Sequence, residues 1–388
     1  MTAFSLFHGS HGSHGSHGSH GSHGSLGSHG SHGSHGSHGS HGSGLVYADY
    51  LGLQSSGQAV VFAAGDDAIK GADITQLHAN ASNNMQRWSA NIRELLFTAE
   101  FCRKLDWKPS RRAGSNSLWG SKLFFQITRP SDDVFASQTE LVRFYARQRA
   151  DRAAEILSQL GSLSDYFAML LGLTAARNPH TLELIGITQL LSGLAVMMPK
   201  HMLASRRPDE FDARIMPIIP SPGHSSFPSG HATQAFAIAT VLSDLIRRQS
   251  HHFPDDQKRI ELLYRQAHRI AVNRTVAGVH FPVDSWAGAV LGCQIGRIIV
   301  LAATGGGTTE PVTMQIRDNT NPDFLMENFR HLYLDQLRPR TLRKRSKDGV
   351  TVVFNTASSA AVSVSKSELF AWLWGECEYE FAVPHVNH

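Results

Sequence analysis

Residues 273–284 of this chain read NRTVAGVHFPVD, and two shorter blocks precede this stretch. The first block has Lys200 seven residues before the first member of an Arg-Pro pair at 207–208, and the second reads PSGH at residues 228–231. Together the three blocks supply three cationic side chains, two histidines and a carboxylate. This set of side chains suits a pocket that binds a tetrahedral oxyanion and attacks it.

The cationic side chains and one helix start would bind the anion. A phosphate-like group carries close to two negative charges, which favours arginine forks and a lysine that acts as a point charge. Lys200, Arg207 and Arg274 fill these roles. Ser229 and Gly230 precede an apolar pattern of helical spacing, so their N–H groups are expected at a helix N-terminus, where anions bind. Glycine lets the backbone approach the anion closely.

The two histidines and the aspartate would perform the chemistry. One imidazole can attack phosphorus as a nucleophile while the other protonates the leaving oxygen. Asp284 comes four residues after His280 and can hold that imidazole in one tautomer. Pro282, between them, suits the first position of a helix.

These blocks resemble the type 2 phosphatidic acid phosphatase (PAP2) and vanadium-dependent haloperoxidase superfamily, whose pattern is KxxxxxxRP, PSGH and SRxxxxxHxxxD. The resemblance covers residues 140–303, with Asn273 in place of the usual serine. It implies that His280 is the nucleophile that forms a phosphohistidine, that His231 is the general acid/base and that Asp284 is the partner of His280. The implied oxyanion ligands are Lys200, Arg207, Ser229, Gly230 and Arg274.

The same pocket in a haloperoxidase would hold vanadate, with His280 as the direct metal ligand. Haloperoxidases that resemble this chain place a tryptophan three residues before the lysine, where this chain has Met197. His224 is found in both classes and does not discriminate. We therefore expect a phosphatase that hydrolyses phosphomonoesters, either small molecules or lipid phosphates, without a cofactor. A vanadate-dependent haloperoxidase is the alternative, and a non-enzymatic metal-binding or scaffold protein is a second alternative.

Composition favours a soluble enzyme. The chain has 388 residues, 41% of them hydrophobic, and a net charge of +4, which fits an anionic substrate and is too mild to indicate nucleic acid. The apolar stretches 184–198 and 287–303 are interrupted by polar residues, so no transmembrane segment is expected. The N-terminus shows no secretory signal, which favours a cytoplasmic protein, although export stays open. Three distant cysteines make no disulfide framework.

The chain divides into four expected parts. Residues 1–44 form a His-Gly-Ser repeat, expected to be a disordered tail, for which metal binding is the less favoured hypothesis. Residues 45–137 form an N-terminal arm with helices, and residues 138–304 the catalytic helical core. Residues 305–388 form a small mixed or β-containing C-terminal extension, whose aromatic end packs on the bundle or supports a homo-oligomer. The predicted fold is therefore mainly α, a helical bundle of the PAP2/haloperoxidase type.

Overall fold

The computed structural model describes residues 59, 76–109, 114–119, 122–334 and 344–382. The His-Gly-Ser tail, for which disorder and metal binding were considered, lies outside these residues. The chain divides into two units, residues 1–89 and 90–388. The short helix α1 lies in the first unit, and the helices from α2 onward and all the strands described lie in the second unit.

Helices account for most of the described residues, which confirms the prediction of a mainly α fold. In chain order they are α1 (Ser82–Met85), α2 (Ala90–Lys104), α3 (Asp132–Tyr145), α4 (Arg149–Ser158), α5 (Ser164–Leu171), α6 (Pro179–Ala195), α7 (Met197–Leu203), α8 (Pro208–Phe211), α9 (Gly230–Arg248), α10 (Asp256–Val276), α11 (Pro282–Ala303), α12 (Met326–Leu332) and α13 (Glu368–Ala382).

Helix starts follow the local sequence. Proline occupies an N-terminal position of α6, α8 and α11, where its missing N–H leaves no helical hydrogen bond unmade. Ser229 caps α9, its hydroxyl accepting a hydrogen bond from the N–H of Ala232 at 3.4 Å. Helices α3 and α4 are joined by a 3-10 turn at Ala146–Gln148.

Helix α11 forms the centre of the bundle. Every residue in it except Arg297 is buried. Gly288, Gly292 and Gly296 recur every four residues on the face that meets α9. A Cβ atom added at Gly292 would lie 3.0 Å from the main-chain nitrogen of Ala237, so only glycine allows the two backbones to approach this closely. The N-termini of α9 and α11 are thereby brought side by side.

A six-stranded sheet accompanies the bundle, in the order β1-β2-β3-β5-β7-β6, and a two-stranded sheet pairs β4 with β8. Strand β5 runs parallel to β3 and antiparallel to β7. The strands are β1 (Asp106–Pro109), β2 (Ser115–Trp119), β3 (Leu123–Thr128), β4 (Gly307–Thr309), β5 (Val312–Ile316), β6 (Lys344–Lys347), β7 (Val350–Phe354) and β8 (Val362–Val364). The β-containing C-terminal extension was expected, but half of its larger sheet comes from residues 106–128, which the sequence did not indicate.

The C-terminal helix α13 packs back on the bundle. Phe370, Trp372 and Trp374 are buried in it. The carboxylate of Glu380 accepts hydrogen bonds from the N–H groups of His180, at 2.5 Å, and Thr181, at 3.0 Å. These N–H groups lie in the first turn of α6 and have no acceptor within their own helix. Glu380 therefore caps α6 from a distant part of the chain.

Two helical stretches have the length and composition of membrane-crossing helices, Pro179–Phe211 and Pro282–Ala303. The expectation that polar interruptions exclude any such stretch was therefore too strict. In Pro282–Ala303, 94% of the apolar window is buried inside the protein, as for the core helix of a bundle, whereas in Pro179–Phe211 half is buried. That the protein is soluble stays a prediction.

Candidate active site

The N-terminus of α11 positions His280 and Asp284. Phe281 is the residue before this helix, and Oδ2 of Asp284 accepts a hydrogen bond from its N–H at 3.0 Å. The same oxygen accepts a hydrogen bond from Nδ1 of His280 at 2.9 Å and another from the hydroxyl of Ser226. One carboxylate therefore caps the helix and orients the imidazole.

His280 is held in the tautomer that a nucleophile requires. Because Nδ1 donates to Asp284, the lone pair of the neutral ring lies on Nε2. Nε2 is 3.1 Å from NH1 of Arg207, which can only donate to it. Burial, followed by the positive charges of Arg207 and Lys200, holds the pKa of His280 well below its ordinary value. The ring is therefore neutral, with Nε2 among cations.

His231 lies in the first turn of α9 and is the second imidazole of the pocket. Its Nε2 donates a hydrogen bond of 2.8 Å to the main-chain oxygen of Gln159, so Nδ1 is the atom left for proton transfer. Burial, and next the positive charge of Arg274, lower the pKa of His231 to about 3. A proton on His231 would lower the pKa of His280 further, which places the two imidazoles in one electrostatic environment.

The three predicted cations are buried around the imidazoles. Nζ of Lys200 donates to the main-chain oxygens of Ser225, at 2.8 Å, and Ser226, at 2.9 Å. Burial and the neighbouring Arg207 lower the pKa of Lys200 well below its usual value. Burial lowers the pKa of both Arg207 and Arg274 to about 10, so both guanidinium groups stay charged at neutral pH.

The start of α9 contributes Ser229 and Gly230. The N–H of Ser229 donates to the main-chain oxygen of Asp284 at 2.9 Å, which joins the starts of α9 and α11. Gly230 is the first residue of α9, so its N–H has no acceptor within the helix. A Cβ atom at Gly230 would lie 3.8 Å from Cε of Lys200. The sequence-predicted residues of all three blocks therefore lie in one cluster, most of it buried, which we call the pocket.

Comparison with known proteins agrees with this pocket. Residues 181–305 match the model of the PAP2 superfamily, and they contain all three blocks. Over these residues the chain is similar to the PAP2 superfamily. No curated protein matches the chain. Among solved structures, the first transmembrane PAP2 type phosphatidylglycerolphosphate phosphatase from Bacillus subtilis is 19% identical, covering 43% of this chain and 85% of that chain with a TM-score of 0.35. The superfamily match and the pocket support a phosphatase of the PAP2 type.

Two further residues contact the pocket, one that the sequence patterns do not include and one whose identity does not discriminate between the enzyme classes. Ser226, whose hydroxyl donates to Asp284, precedes the PSGH block and belongs to no pattern. His224 was judged uninformative, yet its main-chain oxygen accepts a hydrogen bond from Nε of Arg207 at 3.0 Å, and its Nδ1 lies 3.1 Å from NH2 of the same arginine. His224 therefore fixes the Arg207 guanidinium. Met197, at the position that separates the two enzyme classes, is half-buried in α7.

Asn273, which departs from the PAP2 pattern, holds neighbouring side chains of the pocket through hydrogen bonds. Its Nδ2 donates to Oε1 of Glu155 at 2.9 Å and to Oε1 of Gln159 at 3.1 Å. Its Oδ1 accepts a hydrogen bond from NH1 of Arg152 at 2.9 Å. It shares the Gln159 acceptor with Arg274, which agrees with a supporting and not a chemical role.

Proposed function

We propose that the protein hydrolyses phosphomonoesters through a phosphohistidine formed on Nε2 of His280. The observation that carries this proposal is the hydrogen bond of 2.9 Å from Nδ1 of His280 to Asp284, which places the lone pair of the neutral ring on Nε2, the atom that would attack once a phosphoryl group takes up the Arg207 N–H. The buried cations Lys200, Arg207 and Arg274 supply the charge that a phosphoryl group needs at the same place.

In the first step Nε2 of His280 attacks phosphorus, and the bond from phosphorus to the ester oxygen breaks. Protonated His231 gives the proton on Nδ1 to the departing oxygen, so that an alcohol leaves. In the second step neutral His231 takes a proton from water, which attacks phosphorus and breaks the phosphorus–nitrogen bond. The products are inorganic phosphate and free His280, with His231 again protonated. Asp284 stabilises the positive charge that His280 gains.

Binding of the anionic substrate promotes protonation of His231, the general acid. The pKa of His231 is held at about 3 by burial and by neighbouring cations, so free protein carries this histidine neutral at neutral pH. A phosphoryl group bound among Lys200, Arg207 and Arg274 offsets their positive charge and raises the pKa of both imidazoles. Substrate binding is therefore accompanied by proton uptake, and an acidic optimum is expected. This reaction needs no cofactor.

Vanadate is a tetrahedral oxyanion, and the donor set fits it as well as phosphate. His280 Nε2 would ligate it, with Lys200, Arg207 and Arg274 around its oxygens. Bound vanadate would supply activation of hydrogen peroxide for halide oxidation, the alternative hypothesis. Met197 provides a thioether where a tryptophan would be expected for that activity, so the phosphatase is the function we prefer.

A rapid alkaline quench, followed by acid treatment of the trapped protein, tests the proposal directly. The purified protein is mixed with a phosphomonoester labelled on phosphorus, and the trapped protein is assayed for acid-labile, alkali-stable label. We expect label on the wild type and none on His280→Ala. Hydrolysis that survives His280→Ala would contradict the mechanism. Bromide oxidation by vanadate-loaded protein with hydrogen peroxide, together with negligible phosphomonoester hydrolysis, would favour the haloperoxidase.

A further inference from the structure

Gln159, directly after α4, reaches two predicted site residues through different atoms. Its main-chain oxygen accepts a hydrogen bond from Nε2 of His231 at 2.8 Å, and its side-chain Oε1 accepts one from NH2 of Arg274 at 2.8 Å. The residue is fully buried. It lies outside the three sequence blocks and outside the matched segment 181–305, so neither assigns it a role.

The side-chain amide of Gln159 has one orientation that satisfies its neighbours. Arg274 can only donate hydrogen bonds, so the atom that faces it must be the carbonyl oxygen. The same Oε1 accepts a second hydrogen bond from Asn273 at 3.1 Å, while Nε2 of Gln159 lies 3.2 Å from Oε1 of Glu155 and donates to it. Glu155 is itself held by Arg269 at 2.6 Å. The direction of the amide is therefore set by contacts at both of its ends.

Asn273 adds to this network what a serine could not. A serine hydroxyl has a single hydrogen to donate, whereas an asparagine amide has two N–H donors and a separate acceptor. Here Asn273 bonds Glu155 and Gln159 through its amide nitrogen and Arg152 through its oxygen. The departure from the family pattern thus coincides with a buried network around Gln159 that this chain builds with residues from α4 and α10.

The network around Gln159 controls the orientation of the Arg274 guanidinium. NH2 donates to Gln159 and also to the main-chain oxygen of Ile156 at 3.1 Å. Nε and NH1 are buried and have no hydrogen-bond partner among the described residues. Because the guanidinium is planar and rigid, fixing NH2 fixes the directions of the other N–H groups. Nε and NH1 are therefore the donors that Arg274 keeps available for an oxyanion.

We propose that Gln159 is a positioning residue of the site, which orients Arg274 towards the bound oxyanion and holds His231 in the tautomer that transfers protons from Nδ1. The proposal rests on the proposed function for the identity of the oxyanion, a phosphoryl group. Gln159 touches no reacting atom and acts through the two residues that it holds. Its main-chain contact to His231 survives substitution, so a side-chain variant isolates the part that acts on Arg274.

A double-mutant cycle on the full chain tests this inference, with the dissociation constant of inorganic phosphate measured by calorimetry. Gln159→Met keeps the length of the side chain and removes the acceptor. Arg274→Lys keeps the charge and removes the planar fork that Gln159 orients. Gln294→Met is the matched control, because Gln294 is also buried in the bundle, where its amide nitrogen bonds Tyr333 at 2.8 Å away from the oxyanion pocket. Gln159→Asn, which is one methylene too short to reach, serves if Gln159→Met does not fold.

We expect Gln159→Met to weaken phosphate binding about tenfold or more, since hydrogen bonds to charged groups contribute on this scale. In the Arg274→Lys background the same substitution should weaken binding less than about twofold, because the group it orients is gone. Gln294→Met should bind like the wild type. Equal losses in both backgrounds, or no loss in the first, would overturn the inference. Phosphate binding by a wild type that hydrolyses no ester would refute the proposed function alone, and a wild type that binds no phosphate would refute both.

Discussion

The N–H of Ser229 donates a hydrogen bond of 2.9 Å to the main-chain oxygen of Asp284. This bond joins the first turn of α9, whose N–H groups we propose to bind the anion, to the first turn of α11, which holds Asp284, the proposed partner of the nucleophile. The two halves of the candidate site therefore depend on the packing of these two helices. Gly288, Gly292 and Gly296 set the distance between them.

Substituting the middle glycine should disturb both stability and activity. A Cβ atom at Gly292 would lie 3.0 Å from the main-chain nitrogen of Ala237, and backbone cannot move aside as a side chain can. We expect Gly292→Ala to lower the free energy of unfolding by about 1–3 kcal/mol, as overpacking does. Phosphomonoester hydrolysis should fall with it, because Ser229 and Asp284 are pushed apart.

Gly375→Ala is the control for this prediction. Gly375 lies inside α13 and has nothing within 4 Å of an added Cβ atom. Alanine there should be neutral or stabilise by up to about 1 kcal/mol, because alanine is the better helix former. Urea unfolding of both variants makes the comparison. If Gly292→Ala is as stable as Gly375→Ala, the close approach of α9 and α11 is not as described.

Asp284→Asn should abolish most activity without removing the side chain. An asparagine amide can donate to Nδ1 of His280, which moves the ring proton to Nε2 and blocks the nucleophilic atom. In a catalytic triad the same change costs about four orders of magnitude in kcat, and we expect a loss of about a thousandfold or more. Steady-state kinetics with a chromogenic phosphomonoester measure it.

Ser226→Ala should cost less activity than Asp284→Asn. The Ser226 hydroxyl donates a hydrogen bond to Oδ2 of Asp284, but it does not set the tautomer of His280. We expect a loss of about tenfold, well short of that for Asp284→Asn. Equal losses in the two variants would mean that Asp284 acts through general support of the loop and not through the imidazole.

The residues of the pocket could be predicted from the sequence because their spacing is local. His280 and Asp284 stand on one turn of a helix, and Pro282 between them marks its start. Gln159 could not be found in this way, because a single glutamine after a helix carries no pattern, and its role arises from contacts more than 70 residues away. The pattern predicts which residues would bind and react, which stays a prediction, and the fold shows which residues hold them.

The sheet shows the same limit at a larger scale. The alternation in β7, where Val350, Val352 and Phe354 are buried, is visible in the sequence and agrees with the expected β-containing C-terminal extension. Its sheet continues through β5 into β3, with Phe125 opposite Val312. A parallel pairing across so long a separation leaves no local signal, so residues 106–128 fall within the predicted N-terminal arm with helices, for which no sheet is expected. The glycine repeat of α11 was visible too, but its meaning depends on knowing that α9 is its partner.

Glu380 should contribute to stability through α6. Its carboxylate accepts hydrogen bonds from the N–H groups of His180 and Thr181 and from the hydroxyl of Thr181 at 2.6 Å. Glu380→Ala leaves these buried donors without an acceptor and should lower the free energy of unfolding by about 1–3 kcal/mol. Glu368→Ala, in the same helix, removes only an exposed pair with Lys366 and should change it by less than about 1 kcal/mol. Equal effects in urea unfolding would contradict the cap.

Stability should fall as the pH is lowered, because the pocket keeps its histidines neutral. Burial and the nearby cations lower the pKa of His231 to about 3 and that of His224 to about 4, and they hold the pKa of His280 well below its ordinary value. In the unfolded chain histidines titrate near pH ~6.5, so below that pH the unfolded state binds more protons than the folded state. The free energy of unfolding therefore decreases from pH 7 towards pH 4. Asp284 opposes this trend in part, since burial raises the pKa of its carboxyl above the ordinary value.

His224→Asn should make this pH dependence shallower, since it removes one of the three histidines while leaving the two imidazoles of the proposed reaction in place. Urea unfolding between pH 7 and pH 5 measures the slope, with His251→Asn, an exposed histidine after α9, as the matched control. Saturating phosphate should also reduce the slope of the wild type, because a bound anion raises the pKa of His231 and His280 and lets the folded state take up protons. A slope that phosphate leaves unchanged would mean that the anion does not bind beside these imidazoles, which would remove the electrostatic basis of the acid step.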